Sequence, residues 1–189
     1  MSLHADALSV LSGWAAPDAG QERLRQRYVE HLHRHPDGLS RACLPDHVTA
    51  SALIVSVDGN MALLTHHAKA NAWFQMGGHC EPNDTTLAGA ARREATEESG
   101  IGLLALDPVP VHLDLHEVPF CRPGSTVRHL DVRFLAVAAS DAVHAVSAES
   151  LDVRWWPADA LPNREPGMRR LVELARERLS QSTSPSSSC

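Results

Sequence analysis

Three carboxylates spaced for one helical face carry the most chemistry in the sequence. In Arg92-Arg93-Glu94-Ala95-Thr96-Glu97-Glu98-Ser99-Gly100-Ile101, Glu94 lies three residues before Glu97 and four before Glu98. A helix brings all three to one side. Like charges at that spacing destabilise a helix, and Arg93, four residues before Glu97, is placed to compensate. Glu94 and Glu98 then remain as hard oxygen donors one turn apart, a chemistry that suits Mg²⁺ or Mn²⁺. The same pair also describes a solvated acidic face, and the preceding loop shifts that balance. Gly77-Gly78 lets backbone approach a ligand where a side chain would obstruct it. Glu81-Pro82-Asn83-Asp84 reads as a turn, with Asp84 or Thr85 placed to cap the helix that follows. Glycine turn, capped helix and carboxylates together describe a platform for metal and diphosphate.

The helix is signalled by Leu87, Ala88, Ala91 and Ala95, which recur at helical spacing. Alanine dominates that stripe and allows a close approach to whatever supports it. Gly89 inside the run weakens the helix, so packing must help hold it. Gly100 suits the left-handed conformation in which helices often end.

These residues resemble the Nudix box, which runs G, five residues, E, seven residues, then REUxEExGU with U aliphatic. Gly78, Arg93, Glu94, Glu97, Glu98, Gly100 and Ile101 match it, with Ala95 at the first aliphatic place. Counted forward from Gly78, the first acidic position holds Asp84 in place of Glu; counted back from Arg93, it falls on Thr85. The chain therefore carries one extra residue between loop and helix, for the loop or the helix start to absorb.

The resemblance implies an α/β fold, a Nudix-type α/β/α sandwich with a mixed sheet, and hydrolysis of a nucleoside diphosphate linked to another group. By resemblance Glu94, Glu97, Glu98 and the Gly77 carbonyl would hold Mg²⁺ or Mn²⁺, and Gly78 would lie against substrate. Glu97 and Glu98 would serve catalysis, with Arg93 holding the glutamates in place. Glu149, in the loop where such proteins often carry an extra glutamate, is the candidate base or additional ligand; as an ordinary surface carboxylate it would need no further role. The SQPWPFPxS signature of the NADH-cleaving branch is absent, and Pro119 sits late for the proline associated with ADP-ribose hydrolysis. Nucleotide sugars, ADP-ribose, dinucleotides and nucleoside triphosphates all stay open as substrates, and a homodimer follows from family habit alone. Two other classes use the fold: regulators that bind a nucleotide metabolite without turnover, and isopentenyl diphosphate isomerases. The glutamate set argues against the first, and Cys80 lies in the wrong setting for the second.

The elements that must position the box read as follows. Residues 1–45 form a helical extension, with Ala7-Leu8, Leu11 and Trp14 in a first piece. Leu24, Tyr28, Val29 and Leu32 line a second, from about Gln21 to His33. The extension packs on its own domain, forms a dimer contact or covers the site. The catalytic domain spans 46–180, and a Ser-rich tail, 181–189, is expected to be disordered. Val48 to Val57 reads as a buried strand and Asp58-Gly59 as a hairpin turn. Met61 to Thr65 returns as a second strand, and Trp73 to Met76 leads into Gly77. Leu103–Leu106 makes a short strand, Val153–Trp156 a final one, and Met168, Leu171, Val172, Leu174, Ala175 and Leu179 mark a last helix.

Two runs alternate strictly, Val111 to His116 and Arg128 to Phe134. Period two places His112, Asp114 and His116 on one face, and His129, Asp131 and Arg133 on one face of the other strand. If the strands pair, Arg133 or Arg128 can meet phosphate by forked hydrogen bonds, with His129 beside it. A solvent face of an antiparallel sheet alternates in the same way. Trp155 and Trp156 read as core or edge packing, or as one platform for a base.

The composition fits one soluble domain with a sizeable core: 189 residues, 43% hydrophobic. A net charge of −6 argues against nucleic acid as a partner. Of 17 basic residues only Lys69 is lysine, so phosphate contacts would rest on arginine. Cys43, Cys80, Cys121 and Cys189 lack the paired spacing of a zinc site and are expected as free thiols, although His79-Cys80 and Cys121 could in principle meet around zinc. No run approaches the roughly 18 apolar residues a membrane span requires. With no signal-peptide pattern, the expected compartment is the cytoplasm.

Overall fold

A computed structural model describes residues 1–119, 126–147 and 150–183. The elements run α1 (Leu3–Gly13), α2 (Ala19–Arg34), β1 (Asp46–Val55), β2 (Met61–His67), β3 (Ala72–Phe74), β4 (Met76–His79), α3 (Leu87–Ser99), β5 (Leu104–Leu106), β6 (His112–Val118), β7 (Val127–Ala138), β8 (Ser150–Pro157) and α4 (Pro166–Thr183). Trp73–Met76, expected as a lead-in to Gly77, is largely strand: β3 pairs with β2, and β4 pairs with β1. The last strand is longer than its Val153–Trp156 core because β8 pairs antiparallel along β2 from Ser150 to Pro157, with a register shift between His66 and His67.

The sheet is mixed and eight-stranded, with β1 and β7 parallel at its centre and the other pairings antiparallel. Alternation along β1 divides the two faces. Val48, Ala50, Ala52 and Ile54 join a core with Leu87, Ala90, Ala91 and Ala95 of α3 and with Ala7, Leu11, Tyr28 and Leu32 of α1 and α2. On the other face Leu53, Val55 and Leu135 pack with Leu171, Val172 and Ala175 of α4. This is the expected α/β/α sandwich.

The stripe of α3 is as small as the sequence promised, and small residues meet it on the sheet. Gly89 is not an interior weakness. It is the third residue of α3, and its N–H donates to Thr86 Oγ (2.9 Å). A Cβ there would come within 2.8 Å of that hydroxyl. Thr86, rather than Asp84 or Thr85, is therefore the cap, because Asp84 is engaged elsewhere. The next amide, Leu87 N, donates to Asp6 Oδ2 of α1 (2.8 Å), so the N-terminal extension completes the cap. Gly100 ends the helix with φ of 72° and donates its N–H to Thr96 O.

α2 also seals the exposed edge of β6. Gln21 acts there as a surrogate strand, receiving Leu113 N–H on Oε1 (2.6 Å) and donating Nε2 to Leu113 O (2.9 Å). Tyr28 donates its hydroxyl to Asp114 O (2.7 Å). An unpaired edge would otherwise offer a template for another strand. No helix among the described residues is long and apolar enough to cross a membrane.

Thr86→Ala should lower stability by about 1 kcal/mol, the typical cost of losing a threonine cap. A urea midpoint displaced downward with an unchanged slope would show it; an unmoved midpoint would mean that Asp6 alone secures this helix end.

Candidate functional site

Arg93 is the centre from which the site is built. Its Nε and Nη2 donate to Asp84 Oδ1 and Oδ2 (3.2 and 2.9 Å), and Nη2 also donates to His79 O (2.9 Å). Nη1 serves Glu94 Oε1 (3.0 Å) and Glu97 Oε2 (3.1 Å). Hydrogen bonding to Asp84 raises the already high pKa of Arg93 against the opposing effect of burial. Burial opposes ionisation of Asp84, but Arg93 and the Glu81 amide outweigh it and hold the carboxyl below its ordinary range. The extra residue thus leaves Asp84 in the turn as the forked partner of Arg93, while Thr86 starts the helix.

Gly77 and Gly78 are required by contact. At Gly77 a Cβ would fall 2.2 Å from Ser51 Cβ, and at Gly78 it would lie 2.8 Å from the Glu94 carboxylate. Gly77 N–H donates to Glu98 Oε2 (2.9 Å), which ties the far end of the helix face to β4. Glu98 is buried, whereas the Glu97 side chain is 58% exposed. Glu94, Glu97 and Glu98 offer only oxygen, the donor type a hard cation such as Mg²⁺ or Mn²⁺ takes. They stand beside the two glycines of β4; among the described residues their oxygens are not gathered within 4.8 Å of one another. Glu149, the expected additional carboxylate, lies outside the described residues. So do Cys121 and Cys189. The loop leading to Glu149 is anchored at the end of α3, where Ala145 N–H donates to Ser99 O (2.8 Å).

The two alternating strands pair in the register that matches polar to polar: His112 with Arg133, Asp114 with Asp131, His116 with His129. Their shared face is neither open solvent nor a free phosphate cradle. Asp131 accepts from Thr49 Oγ (3.1 Å), Ser51 Oγ (2.8 Å), Gln75 Nε2 (3.2 Å) and Arg133 Nε (2.9 Å). Arg133 also donates Nη2 to Asp114 Oδ2 (2.9 Å). With its residue 6% exposed, Arg133 is engaged by two carboxylates on the side of β1 and β7 that turns away from α3. Arg128 is likewise paired, with Asp46. Burial opposes ionisation of Asp114, yet the His116 hydrogen bond and the Arg133 charge hold it at about 2.

At one end of this polar face His47 of β1, His79 of β4 and His129 of β7 stand together, with ring centroids 4.9 to 5.1 Å apart. Burial first, then neighbouring imidazoles, depress His129 to about 3; burial, His47 and Arg41 depress His79 to about 4. His112, buried beside Arg133, is also held at about 4. Sequence reasoning found His129 but missed His47. The signal was present, because His47, Thr49 and Ser51 alternate with the apolar residues of a strand that reads as wholly buried. Cys80 packs toward the main core, and burial pushes its thiol to about 12. Cys43 and Cys80 are free thiols. Trp73 and Trp156 meet edge to face (5.3 Å), Arg154 lies over both, and Trp155 packs against the main core.

A family model described as the NUDIX domain matches residues 45–175. Among solved structures, a hydrolase of the NUDIX family from Clostridium perfringens is 25% identical with a TM-score of 0.53, covering 72% of this chain and 97% of its own. A C. elegans Ap4A hydrolase in a binary complex is 20% identical with a TM-score of 0.57, covering 71% and 98%. The comparison with curated proteins found no match.

The depressed histidines predict a pH dependence of folding. Above the unfolded value near 6.5 both states are neutral; as pH falls below it, the unfolded chain takes up protons that the buried rings refuse. Stability should therefore fall from about pH 6.5 toward pH 4, each such ring adding up to about 1.4 kcal/mol per pH unit. Urea midpoints measured between pH 7.5 and 4.5 test this, and a flat profile below 6.5 would contradict it.

Proposed function

The chain belongs to the NUDIX domain family, and we propose that this Nudix pyrophosphohydrolase cleaves a phosphoanhydride bond in a nucleoside diphosphate linked to another moiety. The observation that carries the reading is the Arg93 hub, which sets Glu94 and Glu97 side by side next to a strand kept bare by Gly77 and Gly78.

In this reading Glu94, Glu97 and Glu98, with the Gly77 carbonyl, hold Mg²⁺ or Mn²⁺. When bound, the ion neutralises diphosphate charge and lowers the pKa of a bound water. The chain's own residues do the positioning. Arg93 offsets the mutual repulsion of the helix carboxylates and ties them to the loop through Asp84 and the His79 carbonyl. Gly78 leaves the space beside Glu94 clear for a diphosphate to lie against backbone. Glu98 is fixed by the Gly77 amide, and Glu97 is the most accessible of the three to a bound water. A box glutamate or Glu149 supplies the base. His129 and Arg133 lie on β7 at the centre of the sheet, on the face turned away from α3, and have no part in holding the ion.

Purified protein with Mg²⁺ or Mn²⁺ should release two phosphate-bearing products from at least one of ADP-ribose, nucleotide sugars, dinucleoside polyphosphates, NADH or nucleoside triphosphates, as read by mass spectrometry. Glu98→Gln should lower kcat by about a hundredfold or more, since several kcal/mol of charge stabilisation depend on the ligand set. Gly78→Ala, which drives a methyl into the Glu94 carboxylate, should lose activity while remaining folded. Tight binding of one compound without turnover of any would replace the hydrolase with a nucleotide-binding regulator.

A further inference from the structure

The three histidines at the end of the polar face have no part in the carboxylate chemistry, yet their arrangement is specific. Each can offer a ring nitrogen within 4.8 Å of the others. His47 is fully buried, and its Nδ1 lies 3.1 Å from Cys43 O. A carbonyl only accepts, so that bond places the proton on Nδ1 and leaves Nε2 as a bare lone pair. His47 Nε2 is buried with no hydrogen-bond partner, and so is His129 Nε2. Buried nitrogens left this way cost free energy unless something satisfies them. A ring fixed by Nδ1–H to a backbone carbonyl, with Nε2 exposed to its neighbours, is also how metal-binding histidines are commonly oriented.

We propose that His47, His79 and His129 form a binding site for a divalent transition metal of the Zn²⁺ class, separate from the carboxylate set of α3. Imidazole nitrogen suits such a metal, whereas Mg²⁺ takes oxygen. Three histidines leave a fourth position for water. Tetrahedral bonds of this kind place ligand nitrogens about 3.3 Å apart, so rings whose nitrogens lie within 4.8 Å turn toward one another on binding. An imidazole of ordinary pKa near 6.5 is largely neutral at pH 7, the form that binds metal. His116 packs against His129 (5.5 Å) and is itself oriented by Asp114 (2.8 Å).

The position matters for the rest of the protein. His79 follows Gly78, and its carbonyl accepts from Arg93, so a metal on its ring would pin the strand that carries the glycine loop. The site faces away from α3, since Gly78 points to Glu94 and alternation turns His79 the other way. The second metal-type group among the described residues, His35, Asp37 and Cys43, has two exposed members and a thiol whose pKa is raised chiefly by burial.

The test uses untagged full-length protein, stripped with chelator and titrated with Zn²⁺ in excess Mg²⁺. Bound metal is measured by elemental analysis, and the imidazole nitrogen NMR spectrum is followed. Wild type, Glu97→Gln and Cys43→Ser should each retain about one Zn²⁺ per chain, with three histidine rings shifting together. His129→Gln and His79→Gln should bind at least about a hundredfold more weakly, with circular dichroism confirming their fold. If either variant fails to fold, the wild-type ring spectrum decides alone. Failure of wild type to bind Zn²⁺, unmoved histidine resonances, or loss of binding in Glu97→Gln or Cys43→Ser with retention in His129→Gln would overturn the proposal.

Discussion

One guanidinium holds together two pieces of chain that would otherwise repel or drift apart. The face of α3 carries like charges at spacings that disfavour a helix, and the loop before it is closed on itself by Glu81 and Asp84 but needs a tie to the helix. Arg93 answers both problems: it meets Glu94 and Glu97 on the helix, and Asp84 and the His79 carbonyl on the loop. Its planar fork makes this possible, because lysine lacks the geometry to serve Asp84 at two oxygens while reaching two further carboxylates. The spacing between helix and loop, and so the place where a diphosphate can lie, depends on that one side chain.

Close packing supplies the second constraint. α3 can sit on the sheet because Ala90, Ala91 and Ala95 face small residues on β1, and because Gly78 has no side chain to press on Glu94; Gly77 instead makes room for Ser51 on the other face. The N-terminal helices belong to the same arrangement. Asp6 caps α3, Gln21 and Tyr28 close the edge of β6, and Trp14 donates to Pro110 O (2.6 Å). They lie outside the stretch matched by the family model apart from their contacts with it, and through β6 they reach the polar face on the far side of the sheet.

That polar face shows how a sheet can bury charge. Asp131 receives four hydrogen bonds, and Arg133 spans two carboxylates. Charge pairing of this kind specifies register, since a slip of one residue would set charges against the apolar core, although Gln75 Oε1 and His112 Nδ1 on the same face have no partner among the described residues. In the histidine cluster beyond it, His47 Nε2 and His129 Nε2 are buried and unpartnered. Two bare ring nitrogens facing one another across neighbouring strands are what mark the cluster as a place for a ligand.

The sequence by itself determined the helix, its glycine stop and the family. Arg93, Glu94, Glu97, Glu98 and Gly100 are local in the chain, and helical periodicity fixes their mutual placement without reference to the rest. It also determined that β6 and β7 each have a polar side. What it left open depended on contacts distant in the chain. The cap at Thr86 was ambiguous because Asp84 is equally suited to capping until Arg93 engages it. Whether Arg133 met phosphate, solvent or carboxylate depended on register, and β6 lies against β7 so that Asp114 and Asp131 both reach it. His47, His79 and His129 lie on three strands, tens of residues apart; the parallel pairing of β1 with β7 and the antiparallel pairing of β4 with β1 bring them together. Local spacing reports what one helix can do, and tertiary pairing alone decides which distant side chains share a site.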